Sequence, residues 1–351
     1  LHLSIRRQRQ MCIRDRIIAG VLGVSMLTGC SQNDGSNASN ENKETDSKKQ
    51  KNIGITQLVE HPSLDKAKKG FIKALEDKGY KDGDNIKIDF QNAQNDMPTT
   101  QSIASKFVSD KKDLIYAIST PSAQAAYNAT KDIPIIMTAV TDPVEAGLVK
   151  SLEKPGGNVS GTSDYLSIDK TLELVKTLTP KAKKIGVIYN TSEVNSKIQV
   201  DSLHDYAKKN NYEVVEKGIS SSSEVNQAIS SLVGKIDVLY VPTDNLIVSS
   251  MPIVSKVANE NKIPIIASEE GSVSSGALAC CGIDYEKLGY KAGELAIEVL
   301  EGKSVGDIPV TTLDETEIII NEDTLKALDM QKLSADNIKY IKSDENAKSA
   351  K

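Results

Sequence analysis

Three apolar runs in the first half of the chain return, in the same order and at nearly the same spacing, in the second half. Asn52-Ile53-Gly54-Ile55 is matched by Lys184-Ile185-Gly186-Val187-Ile188, and Asp113-Leu114-Ile115-Tyr116-Ala117 by Asp237-Val238-Leu239-Tyr240-Val241. Asp132-Ile133-Pro134-Ile135-Ile136-Met137-Thr138 is matched by Lys262-Ile263-Pro264-Ile265-Ile266-Ala267-Ser268. The offsets, 52 to 184, 113 to 237 and 132 to 262, are 132, 124 and 130 residues. Near-constant offsets imply two copies of one unit. Within each copy the short β-type runs alternate with helix-period stretches, the pattern of parallel sheets covered by helices.

In the first copy the pattern predicts helices over 63–78, 102–109 and 122–130, with Ala67, Phe71, Ala74 and Leu75 on one face of the first. Strands are predicted over 86–90, 113–119 and 133–138. In the second copy a helix over 197–210, a strand over 212–215 and a helix over 223–233 follow the first strand. Lys154-Pro155-Gly156-Gly157-Asn158-Val159-Ser160-Gly161 lies between the copies and reads as the turn where the chain crosses over. A helix over 285–302, a strand over 317–321 and a helix over 322–328 then return to each copy in turn. The predicted class is α/β, with two parallel-sheet lobes between which the chain crosses. Residues 52–160 plus 285–308 form the first lobe, 161–284 plus 309–335 the second, and 336–351 a polar tail.

Before the first strand the chain has a different character. Arg14 and Arg16 precede an apolar run over 17–26 and then Leu27-Thr28-Gly29-Cys30. Basic, apolar and small-residue regions in that order make a secretory signal over 1–29 that is too short to span a bilayer. Residues 1–16 resemble translated adapter sequence and are set aside, as a non-native leader. Leu-Thr-Gly-Cys resembles a lipobox, which would make Cys30 a lipidated N-terminus; residues 30–51 are a polar tether that cannot form a core. Five Arg and one Asp give 1–29 a charge of +4, so a chain at −5 leaves the remainder at −9. An acidic exported body argues against nucleic acid as partner.

Cys280 and Cys281, the other cysteines of the body, are adjacent in an apolar run and read as small buried strand residues. Metal-ligand spacing is absent, as are a nucleophile elbow, a Walker loop and a dinucleotide fingerprint. His204 sits on a charged helix. No enzyme, cofactor or metal is expected.

In open parallel sheets ligands bind beyond the carboxyl ends of the strands. Polar clusters stand at those ends: Gln57 and His61; Ser119, Thr120 and Ser122; Thr138, Thr141 and Asp142; Asn190, Ser192 and Asn195; Thr243, Asp244 and Asn245; and Glu269. Asp164 follows the crossover. On local pattern alone Ser119, Thr120 and Ser122 read first as a plain helix cap, and Asp244 and Glu269 serve equally as exposed turn residues. As a site, Ser119, Thr120, Ser122 and Thr141 would hold a carboxylate at a helix start. Asp244 or Glu269, with Asp142 or Asp164 next in order, would hold an ammonium group, because a cation in a cleft needs a fixed anion.

The body also resembles the extracytoplasmic substrate-binding lipoproteins of ABC importers, closest to the tryptophan/tyrosine-binding branch. The resemblance rests on Val59-Glu60-His61-Pro62 with Leu64-Asp65, Thr141-Asp142-Pro143-Val144, Ala146-Gly147-Leu148-Val149, Pro155-Gly156-Gly157-Asn158-Val159 and Gly282-Ile283-Asp284-Tyr285. It implies a type I periplasmic-binding-protein fold, α/β with two doubly wound parallel-sheet lobes joined by a hinge and ligand between them, and an amino-acid ligand, aromatic by the branch. It further implies delivery to an ABC permease and its ATPase by a monomer anchored on the outer face of the cytoplasmic membrane. A branched aliphatic amino acid, a nucleoside, or an adhesin or sensor role are the alternatives.

Overall fold

The computed structural model describes residues 50–333 and 338–344; Cys30, the signal, most of the tether and the end of the tail lie outside them. The first copy contains β1 (Lys51–Gln57), α1 (Pro62–Asp77), β2 (Ile86–Asn92), α2 (Met97–Ser109), β3 (Leu114–Ile118), α3 (Thr120–Ala129), β4 (Ile135–Thr138) and β5 (Val159–Gly161). The second contains α4 (Ile168–Leu178), β6 (Lys184–Asn190), α5 (Val194–Asn210), β7 (Glu213–Ile219), α6 (Val225–Leu232), β8 (Val238–Val241), α7 (Asn245–Ser249), α8 (Met251–Glu260), β9 (Ile265–Ala267), α9 (Glu270–Ser274) and β10 (Ala279–Gly282). The chain ends with α10 (Tyr285–Leu300), β11 (Glu317–Asn321), α11 (Glu322–Ala327) and β12 (Ile338–Ile341).

The first sheet has the order β2-β1-β3-β4-β5, all parallel. The second runs β12-β11-β10-β9-β8-β6-β7, so five of its strands repeat the 2-1-3-4-5 order. The repeat read from the sequence is therefore a repeat of topology. In this order the sheet reverses direction of growth beside the first strand of each copy, and the crevice lies there.

Three features depart from the sequence reading. Val159–Gly161 is an edge strand of the first sheet as well as the way out of it. β11 runs antiparallel to β10, because the chain comes back from the first lobe at the opposite end of the sheet. Part of the predicted polar tail, Ile338–Ile341, is a strand parallel to β11.

Strand alternation sends each apolar set to one helical layer. Ile53, Ile55, Tyr116 and Ile118 pack with Phe71 and Leu75 of α1 and with Leu288 and Ala292 of α10. Ile115 and Ala117 pack on the other face with Ile103 and Phe107 of α2 and Ala123 of α3. The Phe71 and Tyr116 rings stack with centroids 3.7 Å apart. α10 approaches α1 so closely that a Cβ on Gly289 would fall 1.9 Å from the Ala67 carbonyl oxygen, and one on Gly70 would fall 2.0 Å from that of Glu286. Only glycine permits that spacing. The second lobe repeats the scheme, with Ile185, Val187 and Tyr240 against α4 and α5, and Leu239, Val241 and Ile265 against α6 and α8. Cys280 and Cys281 are buried free thiols in β10.

Candidate functional site: a cleft between two lobes

The carboxyl ends of β1, β3 and β4 face those of β6, β8 and β9 across a cleft. Several side chains there are held ready for a partner. Gln57 ends β1 fully buried; its Nε2 donates to the Val59 carbonyl and to Asp65 Oδ1, both at 2.9 Å, while its Oε1 has no partner. His61 precedes α1; burial pushes its ring below the usual histidine range despite the nearby Glu269 carboxylate, and Nδ1 is unpartnered. Ser119 precedes α3 with φ of 90°, a left-handed value that costs a non-glycine residue on the order of 1–3 kcal/mol. That geometry turns the first turn of α3 toward the cleft. Thr120 Oγ1 there has no partner, and Ser119 Oγ and Ser122 Oγ lie 3.4 Å apart. A helix start with hydroxyls and free N–H groups suits a carboxylate.

The acids divide into two kinds. Asp244 is fully buried and caps α7, accepting from Ile247 N at 2.9 Å, while its other oxygen accepts from Asn190 N at 2.6 Å. Burial, and then the charge of Glu193, push its pKa up to about 7. Glu269 caps α9, accepting from Gly271 N and Ser272 N at 2.6 Å each and from the Ser63 and Ser272 hydroxyls. These two, first in the sequence ranking as ammonium partners, are structural clamps. Asp142 likewise accepts from Val144 N and Glu145 N at 3.0 Å, closing its own turn. Asp164 differs. It is 6% exposed; Oδ2 accepts from the Tyr285 hydroxyl at 2.7 Å, and Oδ1 has no partner. Burial raises its pKa above the ordinary aspartate range, against the Tyr285 bond.

The remaining predicted residues sort by geometry. Thr138 Oγ1 pairs with Thr162 Oγ1 at 2.8 Å, a strand-to-strand contact of β4 and the end of β5. Thr141 Oγ1 meets Thr243 Oγ1 at 3.0 Å, bridging the lobes. Ser192 is exposed on a turn and donates its N–H to Asn190 Oδ1. Asn190, Asn195 and Asn245 gather instead on Glu193, a residue the sequence reading left out. Glu193 is 1% exposed and accepts from the side-chain amides of all three, and from the backbone N–H groups of Asn245 and Leu246. No local signal marks this hub, since its donors come from two separate strand ends. Asn195 Oδ1 keeps a free acceptor.

Between the lobes a cavity of about 10 Å3, room for a single water, is lined by His61, Leu64, Ala139, Asp164, Thr243, Asn245, Val248, Glu269 and Tyr285. A groove of about 210 Å3 shares Asp164 and Thr243 with it and runs out past Leu166, Ile198 and Tyr206. Among the described residues no group of His, Cys, Asp and Glu is placed to hold a metal, and no helix is long and apolar enough to cross a membrane.

Two doubly wound lobes around a polar cleft define a solute receptor, and comparison with known proteins agrees. The family described as ABC transporter substrate binding protein matches residues 52–339. The chain belongs to that family, and its fold is that of the type I periplasmic binding proteins. It is 99% identical over 335 residues, 95% of this chain and 97% of the other, to a protein of Clostridioides difficile (strain R20291) named tyrosine-binding protein. A ligand-free, open structure of a substrate-binding protein with adhesive properties from Clostridium difficile is 73% identical, covering 84% of this chain and 100% of that one, with a TM-score of 0.65. A domain from Streptococcus pneumoniae in complex with L-Trp is 39% identical, covering 80% and 95%, with a TM-score of 0.78. The backbone here is thus nearer the liganded neighbour than the open one, although the open one is closer in sequence.

Proposed function

We propose that this protein captures a free amino acid, tyrosine or tryptophan, between its lobes and delivers it to an ABC permease and its ATPase. The single observation that carries this reading is the buried Asp164, whose Oδ1 has no partner among the described residues, while the buried Glu193, Asp244 and Glu269 have both oxygens engaged. An α-ammonium group supplies the missing partner, and the hydrophobic lining from Leu64, Ala139 and Val248 suits an apolar side chain. The start of α3, with Ser119, Thr120 and Ser122, takes the α-carboxylate. Thr141 borders the adjoining groove.

The names of the relatives favour the aromatic class: one is called tyrosine-binding, and another holds L-Trp. Calorimetric titration should show tyrosine and tryptophan binding well above leucine or a nucleoside. A wild-type protein that binds neither aromatic amino acid overturns the reading. Because a cavity of about 10 Å3 cannot hold such a ligand, the lobes must part to admit it and close behind it. X-ray scattering should therefore give a smaller radius of gyration with saturating ligand than without; an unchanged curve under demonstrated binding rejects the closure.

Family members that serve importers work outside the cytoplasm, and a receptor there must be kept near its permease. Cys30 as a diacylated N-terminus, followed by the polar tether, meets that need, since two acyl chains give stable attachment where one does not. Cys30→Ala should abolish palmitate incorporation and release the protein from membranes. Equal labelling of both forms overturns the anchor.

A further inference from the structure

One edge of the cleft is closed by contact between the starts of α1 and α9, which belong to different lobes. Pro62 and Ser63 lie so near Gly271 that a Cβ there would come within 3.2 Å of Pro62 Cβ and 2.9 Å of Ser63 Oγ. The absent side chain lets the two helix starts meet. Ser63 donates its hydroxyl to Glu269, and Gly271 N reaches Ser63 Oγ at 3.3 Å. One turn further along α1, Lys66 Nζ stands 2.5 Å from Glu270 Oε2. The other oxygen of Glu270 is held at 3.2 Å by Lys339 of β12, which belongs to the same sheet as β9 and β10. The Glu270 side chain is only 16% exposed. Burial works against its charge, but the two lysines outweigh it and hold the carboxyl below the ordinary glutamate range.

We propose that Lys66 and Glu270, with Ser63 against Glu269, form an electrostatic latch that holds the lobes closed and sets the residence time of the bound ligand. Of these groups only Glu269 borders the small cavity beside Asp164; Lys66, Glu270 and Ser63 do not line it. They act by positioning the lobes. An isolated exposed ion pair is worth little, because two long side chains must be ordered to make it. Here Lys339 and burial already fix Glu270 within its own lobe, so only Lys66 loses freedom on closing. A contact made only in the closed state must break before release, so its loss appears in the dissociation rate.

The amino-acid reading above supplies the probe, and the test separates the two. Dissociation of radiolabelled tyrosine, chased with unlabelled tyrosine at low salt, should be roughly three- to tenfold faster in Lys66→Gln than in wild type. Lys66→Arg should restore the wild-type rate. Lys197→Gln, which breaks an exposed pair within α5, should leave it unchanged. At about 1 M salt, where charges are screened beyond roughly 3 Å, the difference between wild type and Lys66→Gln should largely vanish. The second measurement needs no ligand: scattering at low salt should find ligand-free Lys66→Gln more open than ligand-free wild type. If Lys66→Gln releases tyrosine at the wild-type rate at low salt, or if its ligand-free scattering matches wild type, the latch is overturned. If wild type binds no tyrosine, the amino-acid reading fails and scattering alone decides the latch.

Discussion

Asp164→Asn should weaken tyrosine binding at least tenfold at neutral pH, while the ligand-free protein melts at the wild-type temperature or slightly above it. Truncating one partner of a desolvated, hydrogen-bonded charge pair costs about 2–5 kcal/mol, and 1.4 kcal/mol is already tenfold. Asn keeps the size and the acceptor for Tyr285 and removes only the charge. The melting expectation follows from the sign of the pKa shift. Burial raises the Asp164 pKa in the folded state, so its contribution to stability is fully present below the unfolded pKa. That contribution is lost as pH rises through the folded one. Removing an uncompensated buried carboxylate therefore costs the ligand-free fold nothing near pH 7. An ammonium ligand needs the ionised form, so wild-type affinity should rise with pH above the ordinary aspartate range until Asp164 is fully ionised, and the variant should show a flatter profile. Calorimetry of both proteins at pH 5 and pH 7.5 checks this. Binding by Asp164→Asn within threefold of wild type at pH 7.5 would move the ammonium site elsewhere.

Glu193→Ala should have the opposite signature, a large loss of stability. Its carboxylate gathers three asparagine side chains and two backbone N–H groups inside the second lobe. Truncation strands those donors away from water, where each unsatisfied group costs about 1–3 kcal/mol before relaxation and breaking a buried charged cluster costs roughly 3–5 kcal/mol in all. For a body of this size that is a fall in melting temperature on the order of 10 °C. Asp244→Asn is the milder companion: it relieves the repulsion from Glu193 while weakening the clamp on Asn190 and Ile247. Thermal melts of the ligand-free variants decide the matter, and a Glu193→Ala melt within 2 °C of wild type, on the order of 1 kcal/mol or less, would show that the hub is dispensable.

The chain's own sequence determined the repeated architecture, because apolar runs at matched offsets can be buried only by two similar sheets. The turn residues at the strand ends likewise marked where the cleft lies, and Ser119 to Ser122 marked a helix start facing it. Tertiary structure alone decided which acid stays free. At a strand's carboxyl end an aspartate can turn back to cap the next helix or forward into the cleft, and the local pattern is the same for both. Asp244 caps α7 and is fixed further by Asn190, 54 residues upstream; Glu269 caps α9 and meets Ser63, 206 residues away. Asp164 accepts from Tyr285, 121 residues on, through one oxygen, and its other oxygen has no partner among the described residues. The same physics hid Ile338–Ile341: four alternating residues in a polar tail become a strand only because β11 returns antiparallel and offers them an edge.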